Sequence, residues 1–337
     1  MRAVGYRQSL PITAEDSLID LDLPKPAVGA RALLVAVKAV SVNPVDTKVR
    51  MRSQPAAGES AVLGWDAAGI VEEVGSEVTG FKPGDAVFYA GAINRPGSNA
   101  EFHLVDARIA GPKPASLGFA EAAALPLTAI TAWEMLFDRL KIRDAVPGAA
   151  NALVIVGGAG GVGSSAIQLA SRLTDVTVIA TASRPETQAW AKELGAHHVV
   201  DHTKALPEQI AALGLGAPAF VFSTTHTDTH LAGIVELLAP QGRLGLIDDP
   251  KTLDVTLLKR KSLSLHWEFM FTRPVFQTAD IAEQGKLLAE VSRLVDAGTI
   301  RTTLGEHFGA INAANLKRAH ALIESNRAKG KIVLEGF

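Results

Sequence analysis

The sequence predicts an α/β protein of two domains, one a doubly wound parallel sheet and the other a β-rich barrel. Three observations carry this expectation. The chain has 337 residues, more than one hydrophobic core usually serves. Up to about Gly118, short β-rich runs are separated by Gly and Pro turns. From Ala152 onward the pattern becomes strand, Gly turn, helix, strand.

In the first region, Pro24, Pro26 and Gly29 precede the run Ala32–Val40, which carries Leu34, Val35, Val37 and Val40. Leu63–Val74 runs into Gly75, and Phe81-Lys82-Pro83-Gly84-Asp85 makes a turn before Ala86–Tyr89. Phe119–Leu125 and Thr128–Leu140 then have helical spacing, with Pro126 expected to break or kink them. Leu153–Val156 reads as a buried parallel strand. Val162, Ala166, Leu169, Ala170 and Leu173 recur at helical spacing after it. Val176–Ala180 is the next strand, and Thr187–Leu194 is a helix ended by Gly195. Val199–Val200, Ala219–Phe222 and Leu244–Ile247 complete five strands. After Leu263 the alternation fades into helices over Ile281–Ala297 and Leu316–Ser325 and a final strand, Lys331–Glu335. Pattern alone does not decide whether that strand rejoins the N-terminal β domain.

Composition excludes several classes of function. Hydrophobic residues are 47% and charged residues 20%, a globular balance. Lys and Arg total 33 against 35 Asp and Glu, a net charge of −2 with no basic block, so nucleic acid is not an expected partner. There is no cysteine, hence no disulfide, no thiolate metal site and no Cys nucleophile. Met1–Leu10 does not read as a signal peptide, and no apolar run of about 20 residues could span a membrane. The expected setting is the cytoplasm.

The strongest local signal is G-x-G-x-x-G at Gly158, Gly160 and Gly163, between the strand ending at Val156 and the helix starting near Gly161. Glycine permits the tight turn, the approach of a pyrophosphate and close packing of helix on strand. Free amides and the dipole at the helix start, around Gly161 and Val162, attract phosphate. This setting predicts a Rossmann dinucleotide site; the competing reading is a tight turn with no ligand. A site for NADH places a carboxylate roughly 20 residues on, where it binds the ribose 2′-hydroxyl. Here Thr181-Ala182-Ser183-Arg184 follows the second strand, and the first carboxylate is Glu186. Ser183 can hydrogen-bond a 2′-phosphate and Arg184 can pair with it, which predicts NADPH. Alternatively, Ser183 caps the helix and Arg184 is a solvated loop cation.

Taken with the N-terminal stretch, these residues resemble the medium-chain dehydrogenase/reductase superfamily, and most of all its zinc-free quinone oxidoreductase branch, which includes zinc-type alcohol dehydrogenase-like proteins. Ser41-Val42-Asn43-Pro44-Val45-Asp46 and Leu63-Gly64-Trp65-Asp66-Ala67-Ala68-Gly69 look like its two active-site segments. Ala124–Ala129, Gly157–Gly163, Gly195-Ala196 and Gly330–Leu334 carry the likeness along nearly the whole chain. The resemblance implies a GroES-like catalytic domain over 1–126 and 266–337 and a Rossmann NADPH-binding domain over 127–265. It also implies a cofactor in the cleft between the domains and a homodimer built on the edge of the Rossmann sheet. Zinc members carry Cys and Gly-His-Glu where this chain has Asn43 and Gly64-Trp65-Asp66. An indole N–H cannot ligate a metal, so no metal is expected. Without a Lewis acid, hydride transfer to an electron-poor small molecule is the expected chemistry. A quinone is the first choice and an alkenal or enone double bond the nearest alternative. A non-catalytic NADPH-binding protein and a zinc alcohol dehydrogenase are the remaining readings.

Other residues have two readings each. Asn43 is either a polar catalytic group near the nicotinamide or a turn residue before Pro44. Asp46 is either a structural hydrogen-bonder or a base in the substrate pocket. Trp65, Tyr89 and Trp267 either line that pocket or pack in a core. The resemblance puts Thr128, Met270 and Phe271 near the cofactor, and Lys331 is placed to reach it from the closing strand, whereas an ordinary helix residue, core residues and an exposed lysine are the plainer roles. His226 and His230 read as cofactor contacts or as solvated loop histidines.

Overall fold

The structure, a computed structural model, describes residues 1–337. It contains two compact units, one formed by Met1–Ile130 with Phe271–Phe337 and the other by Thr131–Met270. The strands in chain order are β1 (Arg2–Tyr6), β2 (Ile19–Asp22), β3 (Ala32–Val42), β4 (Ala61–Val62), β5 (Ala67–Val74), β6 (Ala86–Tyr89), β7 (Phe102–Asp106) and β8 (Ala110–Pro112). They continue with β9 (Ala150–Val156), β10 (Thr177–Thr181), β11 (His198–Val200), β12 (Pro218–Ser223), β13 (Arg243–Leu246), β14 (Ser264–Trp267), β15 (Leu304–His307) and β16 (Lys331–Glu335). No helix is long and apolar enough to cross a membrane.

The first unit is the β-rich one. Its long central strand β3 pairs antiparallel with β5, β7 and β16, and the sheet runs β15-β16-β3-β5-β6-β8. A smaller sheet, β2-β1-β4, completes it. The closing strand does rejoin this unit. Ile332 lies opposite Val42 and Val333 opposite Ser41, while Val40 lies opposite Ala67 on the other side. Three remote segments therefore end side by side: Asn43 after β3, Asp66 before β5 and Lys331 opening β16.

The second unit holds a six-stranded, all-parallel sheet in the order β11-β10-β9-β12-β13-β14. Leu153–Val156 in β9 are at most 1% exposed, as a central strand covered on both faces must be. Val154, Val156, Val221, Leu244 and Leu246 pack with Ile234 and Leu237 of the helix Thr227–Leu237 in one core. Strand order reverses between β9 and β12, and at such a switch point a ligand crevice opens at the carboxyl ends of the strands.

One expectation needs correction and one holds. The sheet has a sixth strand, β14, beyond the five read from apolar runs. Its Ser264-Leu265-His266-Trp267 lacks an apolar run because it is an edge strand, only half-buried. Pro126 breaks the helical region as expected: one helix ends at Ala123 and the next, Pro126–Trp133, opens on the proline, where its missing N–H costs nothing. That helix widens over Glu134–Arg139, where Leu140 N–H bonds back to Met135 O at 2.8 Å.

Candidate functional site

In the second unit, β9 ends at Val156 and the chain turns through Gly157, whose φ is +81°. A Cβ at Gly157 would sit 2.4 Å from Thr224 Oγ1, the hydroxyl that bonds to Val156 O at 2.8 Å. Gly158 N–H bonds to Thr181 O at 3.1 Å, and Gly157 N–H to Thr181 Oγ1 at 3.1 Å, so the turn is moored to the end of β10. Gly160 caps the helix Gly161–Leu173, whose first internal bond is Ser164 N–H to Gly160 O at 2.8 Å. The amides of Gly161, Val162 and Gly163 precede that bond and head the helix, the arrangement that receives an anion. Trp190 Nε1 donates to Ser164 Oγ at 2.8 Å and so anchors the helix Pro185–Glu193 on the same turn.

The loop after β10 is partly exposed at Ser183 and Arg184. Arg184, not Ser183, holds the N-cap position of the helix Pro185–Glu193, and its N–H bonds to Thr187 Oγ1 at 3.2 Å. This removes the capping role from Ser183. Arg184 Nε lies 3.3 Å from Glu186 Oε1, an exposed pair of little energetic weight.

In the first unit the two segments picked out by resemblance meet in a buried polar network. Lys331 Nζ is 3.0 Å from Asp66 Oδ2 and 3.1 Å from Val42 O, and it also donates to Asn43 Oδ1. Asn43 Nδ2 donates to Asp66 Oδ2 at 2.8 Å, and Leu127 N–H to Asp66 Oδ1 at 2.8 Å. Burial pushes the Asp66 carboxyl up, against the Lys331 cation and the amides of Asn43 and Leu127. Three donors on two oxygens are the surroundings of an ionised carboxylate.

Asp46 opens the helix Pro44–Arg52 and accepts Asn43 N–H at 2.7 Å, a reciprocal cap. Burial raises its carboxyl to about 7; the Asn43 bond and Lys331 oppose that and Asp66 adds to it. The folded state therefore binds this proton more tightly than the unfolded chain, whose carboxyl titrates near about 3.9. Between those values stability falls as pH rises, by up to about 1.4 kcal/mol per pH unit. Asp46→Asn is expected to flatten that fall in urea unfolding between pH 4 and pH 7. Equal slopes in both proteins would assign the proton elsewhere.

The structure gives each of these residues a definite place. Lys331 is not an exposed lysine: at 2% exposure its ammonium is engaged inside the first unit. Asn43 has both ends of its amide occupied by Lys331 and Asp66, which makes it a network member and not an open polar group. Tyr89 is fully buried and stacked on His103, their rings 5.4 Å apart. His103 bonds Pro96 O through Nε2 at 3.0 Å and the Tyr89 hydroxyl through Nδ1 at 3.1 Å. Burial takes His103 down to about 4, so the ring is neutral and the Tyr89 proton points inward to it. Trp65 donates from Nε1 to Ala92 O at 3.2 Å and meets Phe271 edge-on at 6.2 Å, both rings buried. Thr128 bonds Leu125 O at 3.1 Å, and Met270 is buried at 4%. Trp267, on edge strand β14, is half-exposed. The residue the sequence reading left out of the site is Asp66. Its signal was there: a carboxylate inside Leu63-Gly64-Trp65-Asp66-Ala67-Ala68 must find buried partners.

Comparison with known proteins agrees with this architecture. Residues 29–132 match the alcohol dehydrogenase GroES-like domain, and residues 194–334 match the zinc-binding dehydrogenase domain. A zinc-type alcohol dehydrogenase-like protein of Staphylococcus aureus is 37% identical over 336 residues, 99% of either chain. A Rhizobium etli protein provisionally named a zinc-dependent alcohol dehydrogenase is 65% identical, with a TM-score of 0.99 over 100% of this chain and 98% of that one. A mycobacterial protein solved with NADPH is 26% identical, with a TM-score of 0.83 over 99% of this chain and 100% of the other.

The zinc in those names does not fit the residues here. Trp65 offers a donor where a ligand needs a lone pair, and Asp66 is already satisfied by a cation and two amides. No group of three His, Cys, Asp or Glu side chains is placed to hold a metal ion.

Proposed function

Because the chain belongs to the medium-chain dehydrogenase/reductase superfamily and is an oxidoreductase of that family, we propose that it passes hydride from NADPH to a quinone or a similarly electron-poor small molecule, without zinc. The observation that carries the cofactor half is the second unit's anion-binding turn next to a loop with Ser183 and Arg184 and no carboxylate before Glu186.

In this reading Gly158 and Gly160 leave room for the pyrophosphate, and the amides of Gly161, Val162 and Gly163 bind it. Ser183 and Arg184 hold the 2′-phosphate, for which Arg184 exchanges its weak contact with Glu186. Bound NADPH supplies the hydride. The acceptor half rests on the donor set of the first unit. Lys331 holds the Asp66 charge, and no side chain there is arranged as a Lewis-acid site for an alkoxide. An acceptor that takes hydride directly and its proton from water suits such a protein.

NADPH and NADH oxidation measured against a panel of quinones, enones and alcohols tests the proposal. Turnover of quinones with NADPH is the expected result; tight NADPH binding with no turnover of any acceptor would leave a binding protein instead. Arg184→Ala is expected to weaken NADPH by roughly ten- to a hundredfold, the weight of a charge-assisted hydrogen bond, with NADH little changed. An equal loss for both nucleotides would reject the 2′-phosphate assignment.

A further inference from the structure

Three histidines of the second unit gather at the carboxyl ends of its strands, and the proposed chemistry gives them no task. β10 and β11 are parallel neighbours with Thr181 opposite Val200. The chain leaves β10 through Ser183 and Arg184 and leaves β11 through Asp201 and His202, so the two loops emerge side by side. His202 Nδ1 lies 3.2 Å from Thr181 Oγ1, the hydroxyl that also receives the Gly157 amide. One bridging side chain thus joins His202 to the glycine turn. The His230 ring stands 6.5 Å from that of His202 at 63°. His226 belongs to the same cluster, held in a left-handed backbone conformation with φ +52° and its ring 2.7 Å from Thr225 Oγ1.

We infer that His202, backed by His230 and His226, is a proton-linked part of the subsite for the 2′-phosphate of NADPH. The inference rests on the cofactor reading above. With Thr181 Oγ1 accepting from Gly157, its hydroxyl proton is free to go to His202 Nδ1, which leaves Nε2–H as the outward donor of the neutral ring. Burial and the neighbouring histidines hold both His202 and His230 below the usual range for histidine. Asp201 faces His202, and Asp228 and Asp248 face His230; these carboxylates favour the charged rings but are outweighed by burial and the neighbouring histidines, and each also has hydrogen bonds of its own. Asp201 binds Thr203 and Lys204, Asp228 binds Thr229, and Asp248 binds Thr227. Arg184 is the other charged group on the adjoining loop. His202 and His230 are therefore held toward their neutral forms. A dianion brought beside these rings adds to the pull of the carboxylates, raises the proton affinity of the rings and draws in a proton from solvent. Ordinary NADH carries no such group.

Calorimetric titration of the full chain with NADPH and with NADH tests this at pH 7.5, in buffers of different ionisation enthalpy. Net proton uptake is expected with NADPH and none with NADH. The NADPH-over-NADH preference should strengthen as pH falls from 8 to 6.5, by at most about tenfold per pH unit for one linked proton. His202→Gln should abolish the uptake and flatten that trend while leaving NADH binding and the thermal midpoint in place. Tight NADPH binding by the unaltered protein without proton uptake would overturn the inference and leave the cofactor reading standing. Binding of neither nucleotide would overturn both.

Discussion

Replacing Lys331 with methionine is expected to lower the free energy of unfolding of the first unit by about 3–5 kcal/mol at pH 7, the usual effect of breaking a buried ion pair. Methionine keeps the length and most of the volume of the side chain and removes only the ammonium. Asp66 is left buried with the Asn43 and Leu127 amides but without a countercharge. Folded proteins stand only about 5–15 kcal/mol above their unfolded states, so the loss is large. The sign of its pH dependence follows from the same carboxyl. Without Lys331 the folded-state pKa of Asp66 climbs further above its unfolded value, so protonation on acidification relieves the variant. The gap between the two proteins should narrow from pH 7 to pH 5. Adding Asp66→Asn should restore much of the stability, because a neutral amide needs no countercharge. Urea unfolding followed by far-UV circular dichroism reads all three. A Lys331→Met loss under about 1 kcal/mol, the range of exposed pairs, would show that the charge is not buried in the folded protein.

Two alanine substitutions in the glycine turn should separate folding from binding. At Gly163 an added Cβ would lie 2.3 Å from Gly157 O and 2.7 Å from Gly158 Cα, both backbone atoms of the turn itself. Nothing there can move without opening the contact of helix on strand, so Gly163→Ala should cost about 1–3 kcal/mol of stability and nucleotide affinity as well. At Gly160 the nearest atom would be Gly157 O at 3.5 Å, an ordinary contact. Gly160→Ala should keep the thermal midpoint of the parent and lose about a hundredfold in NADPH affinity, or about 2.7 kcal/mol, because the methyl group occupies space meant for phosphate. Unchanged NADPH affinity in Gly160→Ala would falsify the placement of the pyrophosphate.

Features written in one stretch of chain were legible in advance. Gly157–Gly163 follows a visible strand and opens a visible helix, and the absence of a carboxylate before Glu186 is a local fact. The helix Gly161–Leu173 and strands β9, β10 and β12 follow from apolar runs with their own periodicity. What escaped depended on partners far away in sequence. Lys331 reads as a cofactor contact or a surface lysine, and only β16 laid antiparallel along β3 brings it to Asn43 and Asp66. Tyr89 reads equally as a pocket or a core residue, and its stacking on His103 becomes visible only when β6 and β7 are in place. The edge strand β14 escaped for a different reason, since a strand solvated on one side needs no hydrophobic run to form.

The order in which the ribosome releases this chain has a consequence for how it matures. The second unit is complete once Met270 has emerged, while the first remains open until β16, at the end of the chain, is made. Until then Asp66 waits inside an unfinished sheet without the cation that neutralises it. The nascent protein thus carries a finished parallel sheet and an unsealed β layer, the kind of partly folded intermediate that is prone to aggregation. Loss of the last seven residues, 331–337, would hold it permanently in that state.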